Sequence, residues 1–585
     1  MRTAPLLAFL LLPLVLHVDN AKAQQAPAKG VLPAAVRAEV VTKYFDGTDP
    51  GDEALAGAIT LLELPASLRA HIEANEWEKG QLERFAADKL FFLLRGADGK
   101  TRALHYRAEK LRNTRELTPA RERVLRRLYS DAAFTAQPDA ALREAAARAD
   151  LYAATVLEAA IAQVQAGKER TLDDKTLERA RANLKAAANG GRELAAGLLA
   201  LKATPHAVEA QWAGVWLVSR LDAMTFRREE GKGDIGDLQA MDARCFYENV
   251  LYAVKARREL PWGAPCSDHD FLQHVLSPRG TGEPLQRWRR HFFEAMAPEL
   301  AEFKAEDAAT AAEFAGNCAY DFYQYEGDTT WEDFGMLSAL AVHEGRCEDC
   351  SNVENCFKRA LGLPAAQAFT PWWAHSNGNH AWTVIPSLDG GRNGDGAGAA
   401  KVYLKHWDGL DDITDKNTKV TSFSVAMPGA TAPKAALRVW NHDEWRVVAR
   451  ADLKDGVAAF EKVGCSRDFV FNVQAEGAQE KLLLVRKGGE MLELAAGEMP
   501  AGGTFKAQFG KSCALGEFKA EAEYKVLVFA AGAWAEVPCT RVSTGAIAFE
   551  AHPDRLYRLQ GEGMADRPFT VAMPEGAFEP EVVKL

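Results

Sequence analysis

The chain has 585 residues, 48% of them apolar and 26% charged, with a formal net charge of −11 at neutral pH. That length exceeds what one hydrophobic core supports and predicts several domains. The apolar content excludes a disordered chain, and the acidic balance argues against nucleic acid as a partner.

The N-terminus has the form of an export signal. Arg2 precedes an apolar run from Pro5 to Leu16, and Ala21-Lys22-Ala23 supplies a small-residue cleavage site, so cutting is expected before Gln24. The run is too short for a spanning helix, and no cysteine follows it to take a lipid. The expectation is a secreted or periplasmic protein without a membrane span, with residues 1–23 removed.

Residues 36–235 form an α-helical N-terminal region by composition. Ala141 to Gln165 and Leu172 to Ala188 have helical period, with Thr171-Leu-Asp-Asp as a start signal for the second and Asn189-Gly190-Gly191 as its stop. A strand pair is expected at Leu90 to Leu94 and Arg102 to Tyr106. The basic stretch from Arg121 to Arg127 reads as a solvated helix face.

A second region, 236–412, begins with a helix from Met241 to Arg258 and carries the chemistry. Cys347 opens an amphipathic helix running to Leu361, with Cys350, Val353, Phe357 and Leu361 on one face. Glu348 and Asp349 suit its first turn, Lys358 and Arg359 its last, and Gly362 and Pro364 stop it. A thiol at a helix start is placed to ionise, because the free N–H groups there favour negative charge. After a polar turn, His380 to Ile385 reads as a strand with His380, Trp382 and Val384 on one face. His380 can take and return the thiol proton. His375, in the turn, is the weaker alternative.

After Asp412 the texture changes to short alternating runs. Leu437 to Trp440 with Glu444 to Val448 reads as a hairpin, followed by Val457 to Phe460. A similar series appears at Val526 to Phe529, Ala533 to Val537 and Ala546 to Phe549. These predict two related β-sandwich-like modules, 413–494 and 495–585, and an α+β chain as a whole. Their aromatics suit core packing first and glycan binding second.

Nine cysteines are an odd number for an oxidising compartment. Four bridges would leave Cys347 free, with Cys513–Cys539 and Cys245–Cys266 as plausible local pairs. A zinc site at Cys347, Cys350 and Cys356 is disfavoured, because all three fall on one helix and no second ligand pair follows. No metal and no cofactor is expected.

Three phrases carry a resemblance: Gly345-Arg346-Cys347, Arg359-Ala360-Leu361-Gly362-Leu363-Pro364 and His380-Ala381-Trp382. Together with Phe369-Thr370-Pro371 and an upstream stretch (Phe271 to Leu276, Pro278-Arg279, Glu283-Pro284-Leu285, Trp288-Arg289), they resemble the large exported bacterial members of the transglutaminase-like superfamily. The resemblance covers about residues 236 to 415. It implies a papain-like core with a Cys–His–Asp triad in that chain order. Asp395 has the spacing common in the superfamily, whereas a hairpin centred on Gly394 would set His380 opposite Asp408; both stay candidates, Asp395 first. An oxyanion would meet the backbone N–H of Cys347 and a further donor, for which Trp331, Trp372 and Trp373 are candidates. The implied activity is cysteine-dependent acyl transfer on peptide or isopeptide bonds of an extracellular or cell-envelope protein, with hydrolysis favoured over cross-linking. A peptide-glycan amidase and a non-catalytic polymer- or glycan-binding scaffold are the alternatives.

Overall fold

The computed structural model describes residues 32–585, apart from 88, 108–109, 149–151, 168, 224, 227–234, 303–305, 328–332, 390–393, 408, 499–504, 510–511, 514–515, 518, 520–521, 544–545, 553, 563, 565–566, 573–580 and 585. The expected export signal lies outside the described residues. The chain is α+β, and among the described residues no helix is long and apolar enough to cross a membrane.

The N-terminal helices enclose an antiparallel four-stranded sheet: β1 (Ile59–Leu61), β2 (Leu90–Arg95), β3 (Thr101–Arg107) and β4 (Lys110–Glu116). The expected strand pair is its centre. The unbroken apolar run of β2 has a physical reason: both faces are covered. Phe91 and Leu93 enter one core, while Phe92 and Leu94 enter another with Val36, Val40 and Leu104.

The helix α1 (Pro119–Leu128) starts with Thr118 as its cap and proline in its first turn. The expected solvated face holds in part: Arg123, Arg126 and Arg127 keep much of their exposure, whereas Arg121 does not. Arg121 is buried and its Nε meets Asp321 Oδ2 at 2.6 Å, while Arg127 Nη1 meets Glu299 Oε1 at 2.6 Å and Arg123 reaches the same carboxylate. Composition marks such a helix as charged but cannot show that its partners sit on helices far along the chain.

The stretch from Ala141 to Gln165 is two helices, Ala140–Ala147 and Ala153–Gly167, rather than one. Arg148 is extended, so the backbone leaves the helical path there. The next helix, Asp174–Ala186, begins where Asp173 accepts the N–H of Thr176 at 2.7 Å, and ends before Asn189, Gly190 and Gly191, all at positive φ.

Two large cores each draw on both sides of residue 235. In one, Phe91, Val124 and Leu128 pack with Phe292, Phe322 and Phe357. In the other, Leu198, Trp212 and Trp216 pack with Phe246, Phe271 and Trp407. The helix α2 (Ala243–Glu259) faces both: Tyr252 and Ala256 enter the first, Phe246 and Val250 the second. Helices α3 (Trp288–Glu302), α4 (Ala308–Phe322) and α5 (Cys347–Ala360) complete the layer.

Against α5 lies a second four-stranded antiparallel sheet of β5 (Ala366–Thr370), β6 (His380–Val384), β7 (Tyr403–His406) and β8 (Gly409–Asp412), in the order β6-β5-β7-β8. The hairpin expected between the histidine strand and the 401–407 strand does not form. β5 sits between them, pairing His380 with Thr370 on one side and Phe369 with Tyr403 on the other. The run Ala366 to Thr370 lacks alternation because both of its faces are covered, and it was not anticipated as a strand.

Residues 420–494 form one continuous seven-stranded sheet. It curls on itself, since Phe423 on the edge strand Val420–Ala426 and Phe471 on the strand Phe469–Gln474, four places across the sheet, bring their rings to 6.4 Å. The later residues form a three- and a five-stranded sheet that share a core of Phe549, Tyr557 and Phe569. Leu482 and Leu484 of the first unit pack on Phe529 and Leu556 of the second. Trp440, Trp445 and Trp534 cluster at this contact, with ring centroids 5.4 and 5.3 Å from Trp440 and Arg558 over the Trp440 ring at 4.3 Å.

The expected bridges are also corrected. Cys245, Cys266 and Cys539 are free thiols, as are Cys318, Cys347, Cys350, Cys356 and Cys465. Cys245, Cys266, Cys318, Cys356 and Cys465 are buried and serve as small apolar side chains, a common role for cysteine. Cys513 lies among residues whose side chains are not described.

Candidate functional site

Cys347 is the first residue of α5. Arg346 precedes it in extended conformation, and Asp349 closes the first turn by accepting the Arg346 N–H at 2.9 Å and the Arg346 Nε at 3.1 Å. Arg346 also pairs with Asp333. Burial, together with Glu348 and Asp349, lifts the Asp333 carboxyl to about 7. Gly345 is required by crowding. A Cβ there would strike the Tyr323 hydroxyl and lie 2.8 Å from the Asp349 Cβ.

The back of α5 is held by a buried polar network, which explains the upstream phrase containing Pro278-Arg279 and Glu283. Arg279 and Asp237, both without solvent exposure, form a two-pronged pair, with Arg279 Nε 3.1 Å from Asp237 Oδ2. Glu283 accepts the Thr281 N–H at 2.7 Å, and Asn352 of α5 donates to the Thr281 hydroxyl at 2.8 Å. Arg289 donates to the Arg359 carbonyl at 3.0 Å and to Asn249 Oδ1 at 2.8 Å, fixing the last turn of α5 against α2.

The Ala381 N–H, next to His380, faces the Cys347 thiol closely enough to favour its ionised form. Two contacts lay α5 across this sheet: Thr383 Oγ1 donates to the Ser351 carbonyl at 3.2 Å, and Gln367 Nε2 donates to Ser351 Oγ at 2.5 Å. Lys405 of β7 pairs with Glu348 at 2.5 Å. The thiol is not a resting thiolate. Burial raises it above its ordinary value, Glu348 and Asp349 add to this, and the Ala381 N–H opposes it. The expected benefit of the helix start is thus outweighed by desolvation and by the acids of the first turn.

His380 is the first residue of β6 and half-buried. Its ring stacks at 30° on Trp382 (5.4 Å) and at 25° on Trp373 (6.3 Å). The alternation of the strand sets this face opposite that of Thr383, which meets α5. Burial lowers the imidazole below its ordinary value, and the carboxylate of Asp395 draws it back up. Asp395 is exposed and lies in the turn before β7.

Of the other candidates, Trp373 stacks on His380, whereas Trp372 packs toward the curled sheet, with Arg446 over its ring at 4.8 Å. Trp331 and Asp408 lie outside the described residues. The row Ala381–Phe369–Tyr403 runs across the sheet beside His380, and Trp407, next to Asp408, packs edge-on against Trp216 at 5.6 Å. His375 contacts Trp373 at 5.0 Å; burial, then Arg467 and Arg567, lower it to about 4. The structure therefore brings Cys347, the His380 peptide, Asp395 and Trp373 to one end of the sheet.

No protein-family model matches this chain, and no curated protein matches it.

Three side chains at this site were missed from the sequence: Lys405, which partners Glu348; Asn352, which ties α5 to Thr281; and Asn441, which holds the loop before His380. None has a local signal, since each partner lies far along the chain.

Proposed function

We propose that the protein is an exported cysteine-dependent acyl-transfer enzyme acting on peptide or isopeptide amide bonds, with hydrolysis ahead of cross-linking. The observation that carries this reading is Cys347 at the first position of a helix that packs on the strand beginning at His380. In the same reading residues 236–412 are a papain-like core of transglutaminase type, followed by sandwich-like modules, and the mature chain starts at Gln24 in a secreted or periplasmic setting.

The steps follow from the charges. Both groups rest neutral, so His380 takes the Cys347 proton as the sulfur attacks the amide carbon. The Asp395 carboxylate stabilises the imidazolium formed at that moment. The tetrahedral oxyanion meets the backbone N–H of Cys347, with a tryptophan indole as second donor. His380 returns the proton to the leaving amine and the acyl group stays on sulfur. Water attacks the thioester, His380 takes its proton, and the acid is released as the thiol is restored.

The test is turnover of a peptide-amide library that includes glycopeptides, with Cys347→Ala as control, and mapping of the first cysteine alkylated by iodoacetamide. Turnover is expected to vanish in the variant and Cys347 to label first. Unchanged turnover, or labelling that spares Cys347, overturns the proposal.

A further inference from the structure

The loop that delivers His380 packs Trp373 on the core of its own sheet, but its backbone is fastened by hydrogen bonds from the C-terminal sheets. The strand Lys434–Asn441 turns into Glu444–Lys454 through His442 and Asp443, at φ 47° and 61°, a two-residue turn suited to the twist of a hairpin. Asn441 stands at its tip with no solvent exposure. Its Nδ2 donates to the carbonyls of Trp373 (2.7 Å), Ser376 (2.9 Å) and Gly378 (3.0 Å), and its Oδ1 accepts the Gly378 N–H at 3.0 Å. Three carbonyls on one side and an N–H on the other fix which way the amide faces.

A second anchor acts beside it. Asn377 Oδ1 accepts the His442 N–H at 3.0 Å and Arg567 Nη2 at 2.8 Å, and Arg567 Nη1 also donates to the Trp440 carbonyl at 3.0 Å. Both C-terminal units therefore meet on residues 373–378, just before the histidine. Within the loop, the Trp373 N–H reaches the Gly378 carbonyl at 3.1 Å and closes a tight ring of chain.

We infer that Asn441 is a positioning residue: it sets the backbone from Trp373 to Gly378 and with it the place of the His380 imidazole at the start of β6, where the proposed reaction needs its base. This rests on the cysteine–histidine reading above. It makes the C-terminal sheets part of the reaction apparatus rather than appended binding modules. A side chain that neither touches substrate nor lies near the sulfur then controls whether the thiol has a base.

The test uses the full chain. Asn441→Asp keeps the size and the acceptor but turns an oxygen toward three carbonyls. Asn377→Ala, at an exposed position, removes the second anchor more gently. Two quantities are read: amide hydrogen exchange over residues 373–380, and the pH profile of Cys347 alkylation, with His380→Ala as reference. Asn441→Asp is expected to speed exchange of these amides roughly tenfold or more while α5 stays protected, as loss of several hydrogen bonds implies. Its alkylation profile is expected to move onto that of His380→Ala, and Asn377→Ala to move the same way by less. A folded Asn441→Asp protein with the wild-type profile overturns the inference; if that variant does not fold, a wild-type profile in Asn377→Ala does so. If His380→Ala itself leaves the profile unchanged, the cysteine–histidine reading has failed, and the inference falls with it.

Discussion

The body and last turn of α5 are anchored by charges buried within its own layer, whereas the loop before β6 is anchored by an amide and a guanidinium that arrive from the C-terminal sheets. On the helix side, Arg279, Asp237, Glu283 and Arg289 form a dry network around a rigid element. On the histidine side, a polar, glycine-containing turn has little core of its own and borrows its shape from Asn441 and Arg567. A helix is internally hydrogen-bonded and needs only to be placed, while an irregular loop needs its backbone groups satisfied from outside. The first segment should therefore fail by unfolding and the second by losing geometry.

The largest effect expected is on the helix side. Arg279→Ala strands the Asp237 carboxylate in the core and is expected to cost about 3–5 kcal/mol in urea unfolding. A loss below about 1 kcal/mol would mean that the network does not hold α5. Gly345→Ala comes next, since the added methyl meets the Tyr323 hydroxyl and Asp349. About 1–3 kcal/mol of destabilisation is expected, with slower alkylation of Cys347 as the helix start shifts. An unchanged alkylation rate would show that the cysteine is insensitive to its cap.

The histidine side should respond in pH rather than in stability. Burial lowers the His380 imidazole, and the base must be neutral to act, so the acid limb of kcat/KM is expected below 6.5. Trp373→Ala uncovers the ring, returns its affinity for protons toward the ordinary value and moves that limb to higher pH, with about 0.5–1.5 kcal/mol lost in unfolding from the ring contact. A limb that stays in place would show that the indole does not desolvate the histidine.

The smallest effect is expected where the two sides touch. Lys405 pairs with Glu348, whose charge raises the Cys347 thiol. Lys405→Met leaves that charge uncompensated, so alkylation at fixed pH should slow by less than about threefold and the difference should fade in high salt. A faster rate would reverse the assigned sign.

What the sequence determined by itself was local. The caps and stops of α5, the strand beginning at His380, the β2–β3 pair, the hairpin joining Trp440 to Trp445 and the α+β order are all written in residues a few positions apart, because capping, period and turn chemistry act at short range. Only the tertiary structure decided that β5 would separate β6 from β7, that Arg121 of α1 would be buried against Asp321 while Arg123 and Arg127 converge on Glu299, that the buried cysteines would stay unpaired, and that Asn441 would hold the histidine loop. Each of these depends on groups brought together from distant parts of the chain, where burial and desolvation rather than neighbouring residues set the energy.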